Sequence, residues 1–304
     1  GLRHILTVPR AYLGRMRAAL LLLTHVIGFV ASAQVTERSL LWRIRPAEGA
    51  SASYLYGTVH SRDARAYRGN DSLWAAFGQC PRVVGELDLS AAMEGAGDLV
   101  TSMMMPAGTN LEDLYRKKDF AQVEAALKEH LGVVAFTTDH LKPFWSMALL
   151  SEATMHSDSI LVLDDYLQKR AQSDGKEVLG LETVAEQMAA IQAIPLKEQA
   201  QMLLDMVQHD LYRAQMEQMM DAYAAQDLQK VMEVAEAGGI PQSLDKGLLQ
   251  DRNVRMVAGM VELMRSGPPC FFAVGAAHLP GERGLLAQLR EKGFLVYAVA
   301  PVPQ

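Results

Sequence analysis

Four short apolar runs end alike, and that shared ending constrains the fold more than anything else in the 304-residue chain. They are Tyr54-Leu-Tyr-Gly-Thr-Val-His60, Val83-Val-Gly-Glu86, Val178-Leu-Gly-Leu-Glu182 and Phe271-Phe-Ala-Val-Gly-Ala-Ala-His278. Each is strand-like in composition and closes on Gly followed by a titratable side chain. In an open parallel sheet, ligands bind beyond the carboxyl ends of the strands. A glycine there permits close backbone approach or positive φ. Two histidines and two carboxylates are therefore expected on one rim.

The intervening sequence fits that plan. Runs at 40–44 and 53–56, separated by Pro46-Ala47-Glu48-Gly49, predict a hairpin. Residues 70–79 carry Leu73, Trp74, Ala76 and Phe77 at helical spacing, with Asn70 or Asp71 as N-cap, and lead into a strand at 83–87. Strand, helix, strand in so few residues implies a parallel pair with a right-handed crossover. From 111 to 131 and from 141 to 171 the apolar spacing is helical, with Asn110 and Asp119 as caps. A β-run at 177–182 follows the turn Asp174-Gly175. Residues 186–236 are Met- and Gln-rich at helical spacing, which reads as packing, since Met fills irregular gaps. Gly238-Gly239 and Pro241 break that layer before a helix carrying Arg252, Asn253 and Arg255. A strand at 270–274, a helix from 284 to 292 stopped by Gly293 at C′, and a strand at 294–299 close the chain. The fold class is α/β: a mixed, largely parallel sheet with a large helical insertion, about 105–265, interrupted by the strand near 177–182. No linker divides it, so residues 34–304 read as a single domain.

The first residues read as an address. Arg10, Arg15 and Arg17 precede an apolar run from Ala18 to Val30 that ends in Ala31-Ser32-Ala33, the pattern of a secretory signal peptide, too short to span a bilayer. Cleavage after Ala33 and export to the periplasm are expected, with Met16 as an alternative start. Loss of the leader's four arginines takes the net charge from −6 to −10. An acidic chain without a Lys/Arg block has no footprint for nucleic acid, and no membrane span is expected in the mature chain. In an oxidising compartment Cys80 and Cys270 could bridge, or they could be two buried thiols; sequence leaves both open.

The rim residues carry the chemistry. His60, His278, Glu86 and Glu182 suit a divalent ion held by imidazole nitrogen and carboxylate oxygen, with a position left for an acidified water. They equally suit metal-free catalysis with one His as base and a carboxylate orienting it. Plainer roles compete: Asp88 as a cap of the next segment, Glu182 as a cap of the helix that follows it, and Arg252 with Arg255 as a solvated helix face. His130, His140, His156 and His209 fall in helical or loop surroundings outside those endings and read as structural. The absence of His-Glu-x-x-His, Gly-x-Ser-x-Gly and P-loop motifs removes zincin, serine-hydrolase and nucleotide-binding readings in their usual form.

Ser53-Tyr-Leu-Tyr-Gly-Thr-Val-His60, Gly85-Glu-Leu-Asp88, Leu141-Lys-Pro143, Leu179-Gly-Leu-Glu-Thr183, Asp251-Arg-Asn253 and Gly275-Ala-Ala-His-Leu-Pro-Gly281, taken in this order, resemble the TraB/GumN family, related to the Tiki metalloproteases. Tyr56 and Ala277 depart mildly from the usual pattern. The resemblance implies two βαβ modules with a helical insertion, similar to erythromycin esterase and ChaN-type haem-binding lipoproteins. It also implies an active centre of His60, His278, Glu86 and Arg252, and peptide-bond cleavage with Mn²⁺ or Co²⁺; Zn²⁺ suits the same donors. On that basis His60, His278 and Glu86 are the expected metal ligands, Glu86, Arg252 and Glu182 the expected catalytic groups, and a peptide or small molecule the expected substrate. Two other readings use the same rim: a ligand-sequestering protein for a peptide or haem, and a metal-independent esterase with His60 as base.

Overall fold

A computed structural model describes residues 38–47, 51–67, 71–94, 96–237 and 249–300. The leader, most of the turn after Pro46, the cap candidate Asn70 and the break at 238–241 lie outside the described residues. Six strands form one sheet: β1 (Leu41–Pro46), β2 (Ser53–Thr58), β3 (Arg82–Gly85), β4 (Glu177–Gly180), β5 (Cys270–Gly275) and β6 (Phe294–Ala298), in the order β4-β3-β5-β2-β1-β6. β1 is antiparallel to β2 and to β6, while β2–β5, β5–β3 and β3–β4 pair in parallel. The protein thus has a mixed α/β fold with substantial helical content.

The expected pairing of β2 with β3 is corrected. They run parallel, but β5 lies between them. Cys270, Phe271, Phe272 and Val274 are all fully buried. A strand apolar on both faces takes the interior position, where helices cover both sides. The helix Asp71–Gln79 that follows β2 lays Leu73, Ala76 and Phe77 into the core, their spacing of three and one placing them on one stripe. Cys80 and Cys270 are free thiols buried in that core, and burial pushes them up to about 12 and about 11 respectively. At the C-terminal end the helix Leu285–Glu291 stops with Gly293 at φ +87°, the left-handed C′ residue the sequence called for.

The expected helices of the insertion are more broken than their apolar spacing implies. The 111–131 stretch divides into a 3₁₀ turn, Leu111–Leu114, and the helix Lys117–Leu131. Asn110 caps the first, and its own N–H is taken by Asp113 at 2.8 Å. Arg116, not Asp119, is the N-cap of the second; Asp119 sits in its first turn, where a carboxylate meets the helix dipole. The 141–171 stretch divides into Pro143–Thr154 and Leu163–Ser173, because the N–H groups of Asp158 and Ser159 both go to the Arg62 carbonyl, at 3.0 Å, instead of continuing a helix. Among the described residues five more helices lie between β4 and β5: Val184–Gln192, Leu196–Gln208, Leu211–Ala224, Leu228–Ala237 and Asp251–Ser266. Met219 and Met220 pack on the main core and Met206 on a second, smaller one built from Leu111, Val123, Leu127, Leu150, Leu203 and Leu204. Among the described residues no helix is long and apolar enough to cross a membrane.

Candidate active site at the strand-end rim

Parallel register brings the strand ends level, with Thr58 opposite Gly275, and Gly85 opposite both Ala273 and Gly180. Glu86 leaves β3 directly, and the ladder continues beyond the strands through Glu182 N–H to the Glu86 carbonyl at 2.8 Å. The two carboxylates are thereby fixed side by side. The glycines serve close approach, and neither Gly180 nor Gly275 has positive φ. A Cβ on Gly180 would stand 2.6 Å from the Asp88 nitrogen, and one on Gly275 3.1 Å from Glu86 Oε1.

The first turn of the helix Asp251–Ser266 meets these carboxylates from another direction. Arg252 Nη2 donates to Glu86 Oε2 at 2.6 Å and to Glu182 Oε2 at 2.7 Å, and its Nε donates to Glu182 Oε2 at 2.9 Å. Arg255 adds a contact to Glu182 Oε1 at 3.3 Å. With its side chain 1% exposed, Glu182 is the buried anchor of this cluster. A carboxylate buried so deeply is tolerated because it is paired. The helix-cap role that competed for Glu182 belongs to its neighbour: Thr183 caps Val184–Gln192 in a capping box with Glu186. Asp88 does act as a cap, its Oδ1 accepting from the N–H groups of Ser90 and Ala91.

His278 lies in the turn Ala276–His278 after β5, buried, with Nδ1 2.6 Å from Asn253 Oδ1. The amide nitrogen of Asn253 donates to the carbonyl of Arg283 at 2.9 Å, so its oxygen is the acceptor and His278 Nδ1 carries the proton. Nε2 is then a lone pair, and it faces Glu86 Oε1 at 3.7 Å. That oxygen also accepts the Gly275 N–H at 2.8 Å. Burial holds His278 below the ordinary imidazole range, with Arg252 acting in the same direction against Glu86 and Glu182. Burial pushes Glu86 upward, but His278, Arg252 and the Gly275 N–H outweigh it and hold the carboxyl below its usual value.

His60 stands apart from this cluster. It is exposed on the lip of a cleft of about 310 Å³ that Glu86, Asp164, Gln168, Gln187 and Gly275 also line. Asp164 Oδ2 lies 3.6 Å from its Nδ1, and Asp164 Oδ1 accepts from Thr58 at 2.6 Å. Asp164 raises the His60 pKa. Among the described residues, no three His, Cys, Asp or Glu side chains are grouped closely enough to hold a metal ion. The donors nearest to that arrangement are the facing pair, His278 Nε2 and Glu86 Oε1, whose chemistry suits a divalent cation; His60 is the third candidate from across the cleft.

Asp164, Asn253, Gln168 and Gln187 complete the site and were not singled out in the sequence. Gln187 donates to Glu86 Oε2 at 3.1 Å, while Gln168 clamps the turn after Glu86 through the Leu87 carbonyl at 2.7 Å and the Leu89 N–H at 3.0 Å. Asn253 was visible as the last residue of the Asp251-Arg-Asn253 motif, with no role of its own assigned. Asp164 beside Asp165 reads as the acidic first turn of a helix, and nothing local distinguishes it.

A mixed sheet whose parallel strands bring two histidines, two carboxylates and a clamping arginine to one rim defines an α/β protein with ionisable side chains at its strand-end cleft. The TraB/PrgY/gumN family matches residues 40–298, and the chain belongs to that family. It is similar to the metalloprotease TIKI2 of Danio rerio, 26% identical over 331 residues, covering 86% of this chain and 61% of the relative. The metalloprotease TIKI1 of Homo sapiens is 24% identical over 317 residues, covering 85% and 61%. The chain spans about three fifths of the length of these relatives. No solved structure matches it.

Proposed function

We propose that this protein is a metal-dependent hydrolase, peptidase-like in its chemistry, that works in the strand-end cleft and, once its leader is removed, in the periplasm. One observation carries the reading: Nε2 of His278 and Oε1 of Glu86 face each other at 3.7 Å, with His278 Nδ1 turned back to Asn253 and the other Glu86 oxygen held by Arg252. Such a pair is stable around a cation. Asn253 behind His278 is the kind of oxygen partner that fixes the tautomer of a metal-bound imidazole. On this reading Glu86, His278 and His60 are the ligands, with Mn²⁺ or Co²⁺ the expected metals and Zn²⁺ compatible with the same donors. The metal, when bound, would acidify a water and polarise the scissile carbonyl. Hydrolysis adds that water across the amide bond, the hydroxyl going to the carbonyl carbon and the proton to the leaving nitrogen. Arg252 and Glu182 act through Glu86: Arg252 holds its outer oxygen and favours the ionised form, and Glu182 holds Arg252. Asp164 orients His60. The names of the similar metalloproteases agree with this class of reaction. The likeness to erythromycin-esterase and ChaN-type folds belongs to the same proposal.

A second reading is favoured by the Asp164–His60 pair, exposed to the cleft and backed by Thr58. His60 could serve there as a metal-free general base of an esterase. Metal content by mass spectrometry separates the two, comparing the wild type with a His60→Ala/His278→Ala double variant after reloading with Mn²⁺, Co²⁺ or Zn²⁺. Near-stoichiometric metal in the wild type only, with peptide cleavage abolished by EDTA, is the expected result. No specific metal in either protein sinks the metallohydrolase; EDTA-resistant activity lost in His60→Ala moves the assignment to the base.

A further inference from the structure

A groove of about 740 Å³ opens from the rim cleft. The two share His60, Leu87, Leu89, Gln168 and Gln187, so they form one continuous surface. Away from the rim the groove is apolar. Leu89, Leu99 and Met103 come from the helices Leu89–Glu94 and Ala96–Met103, Trp145 from Pro143–Thr154, and Val184 and Met188 from Val184–Gln192. All six are half-buried, each leaving part of its apolar surface in the groove. Contiguous apolar surface of this kind marks a binding site more often than a tolerated defect. The charged residues lining it besides His60 are Asp165 and Lys169, which pair with each other at 2.9 Å. Nothing in the groove therefore favours a charged guest, and a buried, unpaired charge there would be costly.

We infer that this groove is the specificity subsite: it takes uncharged apolar side chains of an extended peptide, on one side of the bond that is cut at the rim. The inference rests on the hydrolase reading and adds the substrate class to it. Continuity with the cleft selects the occupant, because a group entering from the rim must be joined covalently to whatever lies beside Glu86 and His60. The volume is more than twice that of the cleft, within the range that encloses ligands larger than one side chain.

Capped peptides that differ only at the residues flanking the cut, phenylalanine, alanine or aspartate, test it on the purified chain. The expected result is a kcat/KM for the phenylalanine peptide about tenfold or more above the aspartate one, since apolar pockets discriminate on that scale. Leu99→Arg, and independently Met188→Arg, should invert that ratio, with circular dichroism confirming that each variant is folded. A flat profile in the wild type, or an unchanged ratio in both folded variants, overturns the inference. If no peptide is cut at all, the hydrolase reading has failed, and the groove is read separately through Trp145. The phenylalanine peptide should then change tryptophan emission saturably, the aspartate peptide should not, and Trp145→Phe should lose the response. Saturation by decanoate but not by the peptide would assign the groove to an acyl chain and overturn the peptide assignment; no response to either would also overturn it.

Discussion

The rim and the helical insertion are built on different terms. At the rim Glu86 and Glu182 follow strand ends and Arg252 sits in a first helical turn, positions set by backbone hydrogen bonds, and Glu86 is further held by Arg252, Gln187 and the Gly275 N–H. Beneath it Leu55, Val83, Val84, Phe271, Phe272 and Val274 are fully buried. Besides what it adds to the main core, the insertion has a separate cluster of six buried side chains, and it leaves Val133 81% and Phe136 76% exposed. Rigid support suits reacting groups that must stay within about half an ångström of their working geometry. Adaptable helices suit recognition, and the insertion contributes Trp145 and Met188 to the apolar groove. On the proposed reading, chemistry centres on the strand ends, with Arg252 reaching in from a helix, and selectivity on the helices around the groove.

That division fails if substitutions in the two regions have the same consequences. The largest effect is expected at Glu86. Glu86→Gln keeps the shape and the acceptor for Gly275 but removes the charge that faces His278 and Arg252. Peptide cleavage should fall about a thousandfold, equivalent to roughly 4 kcal/mol of transition-state stabilisation. Stability should change by much less, because Arg252 keeps its bonds to Glu182. Unfolding on that substitution, measured by thermal denaturation, would show that the rim is structural first. The insertion should behave in the opposite way. Leu203→Ala empties a fully buried position in the smaller core and should cost about 3 kcal/mol in urea denaturation. Cleavage per folded molecule should change only a few-fold, and an abolished activity would mean that the insertion sets the rim geometry.

The same division governs what the sequence disclosed. Strand ends were legible because short apolar runs closed by glycine and a titratable residue are a local signal, and Glu86, Glu182 and His278 fall together as those endings imply, joined by Arg252, which only the family resemblance pointed to. His60 reached the same cleft but not the buried cluster, since Gly57 is followed by two residues whose path no local pattern specifies. Sheet order was not legible: that β5 separates β2 from β3 depends on burial competition among strands far apart in the chain. The helix break at 155–162 had a local signal in the polar run His156-Ser-Asp-Ser159 that the expected continuous helix passed over, while the partner that holds this stretch, the Arg62 carbonyl, is remote in sequence. Asn253 and Asp164 gain their roles only by facing a histidine across the fold.

Finer substitutions sharpen the comparison. Gly275→Ala would place a Cβ 3.1 Å from Glu86 Oε1, forcing the carboxylate to shift by a few tenths of an ångström while the backbone conformation remains allowed. A tightly held rim should respond with about a tenfold loss of kcat/KM, because small misplacements of reacting groups are expensive, and with little change in melting temperature. A rim that tolerates the methyl group without kinetic loss is looser than proposed.

The smallest effect concerns the tie between the two regions. Arg65, in the loop after β2, donates from Nε and Nη2 to Asp63 and reaches Glu217 at 3.0 Å and Asp221 at 2.7 Å on the helix Leu211–Ala224. Its hydrogen bonds hold the Asp63 carboxyl below the usual aspartate range, although partial burial opposes this. A folded pKa below the unfolded one gives stability that is complete above about pH 4, the unfolded value, and is lost as pH falls through the lower folded value. The wild type should therefore lose about 1 kcal/mol more than Asp63→Asn between neutral and acidic urea titrations, the scale of a charged hydrogen bond. Equal acid sensitivity in the two proteins would place the tie elsewhere, among the exposed carboxylates on the helix.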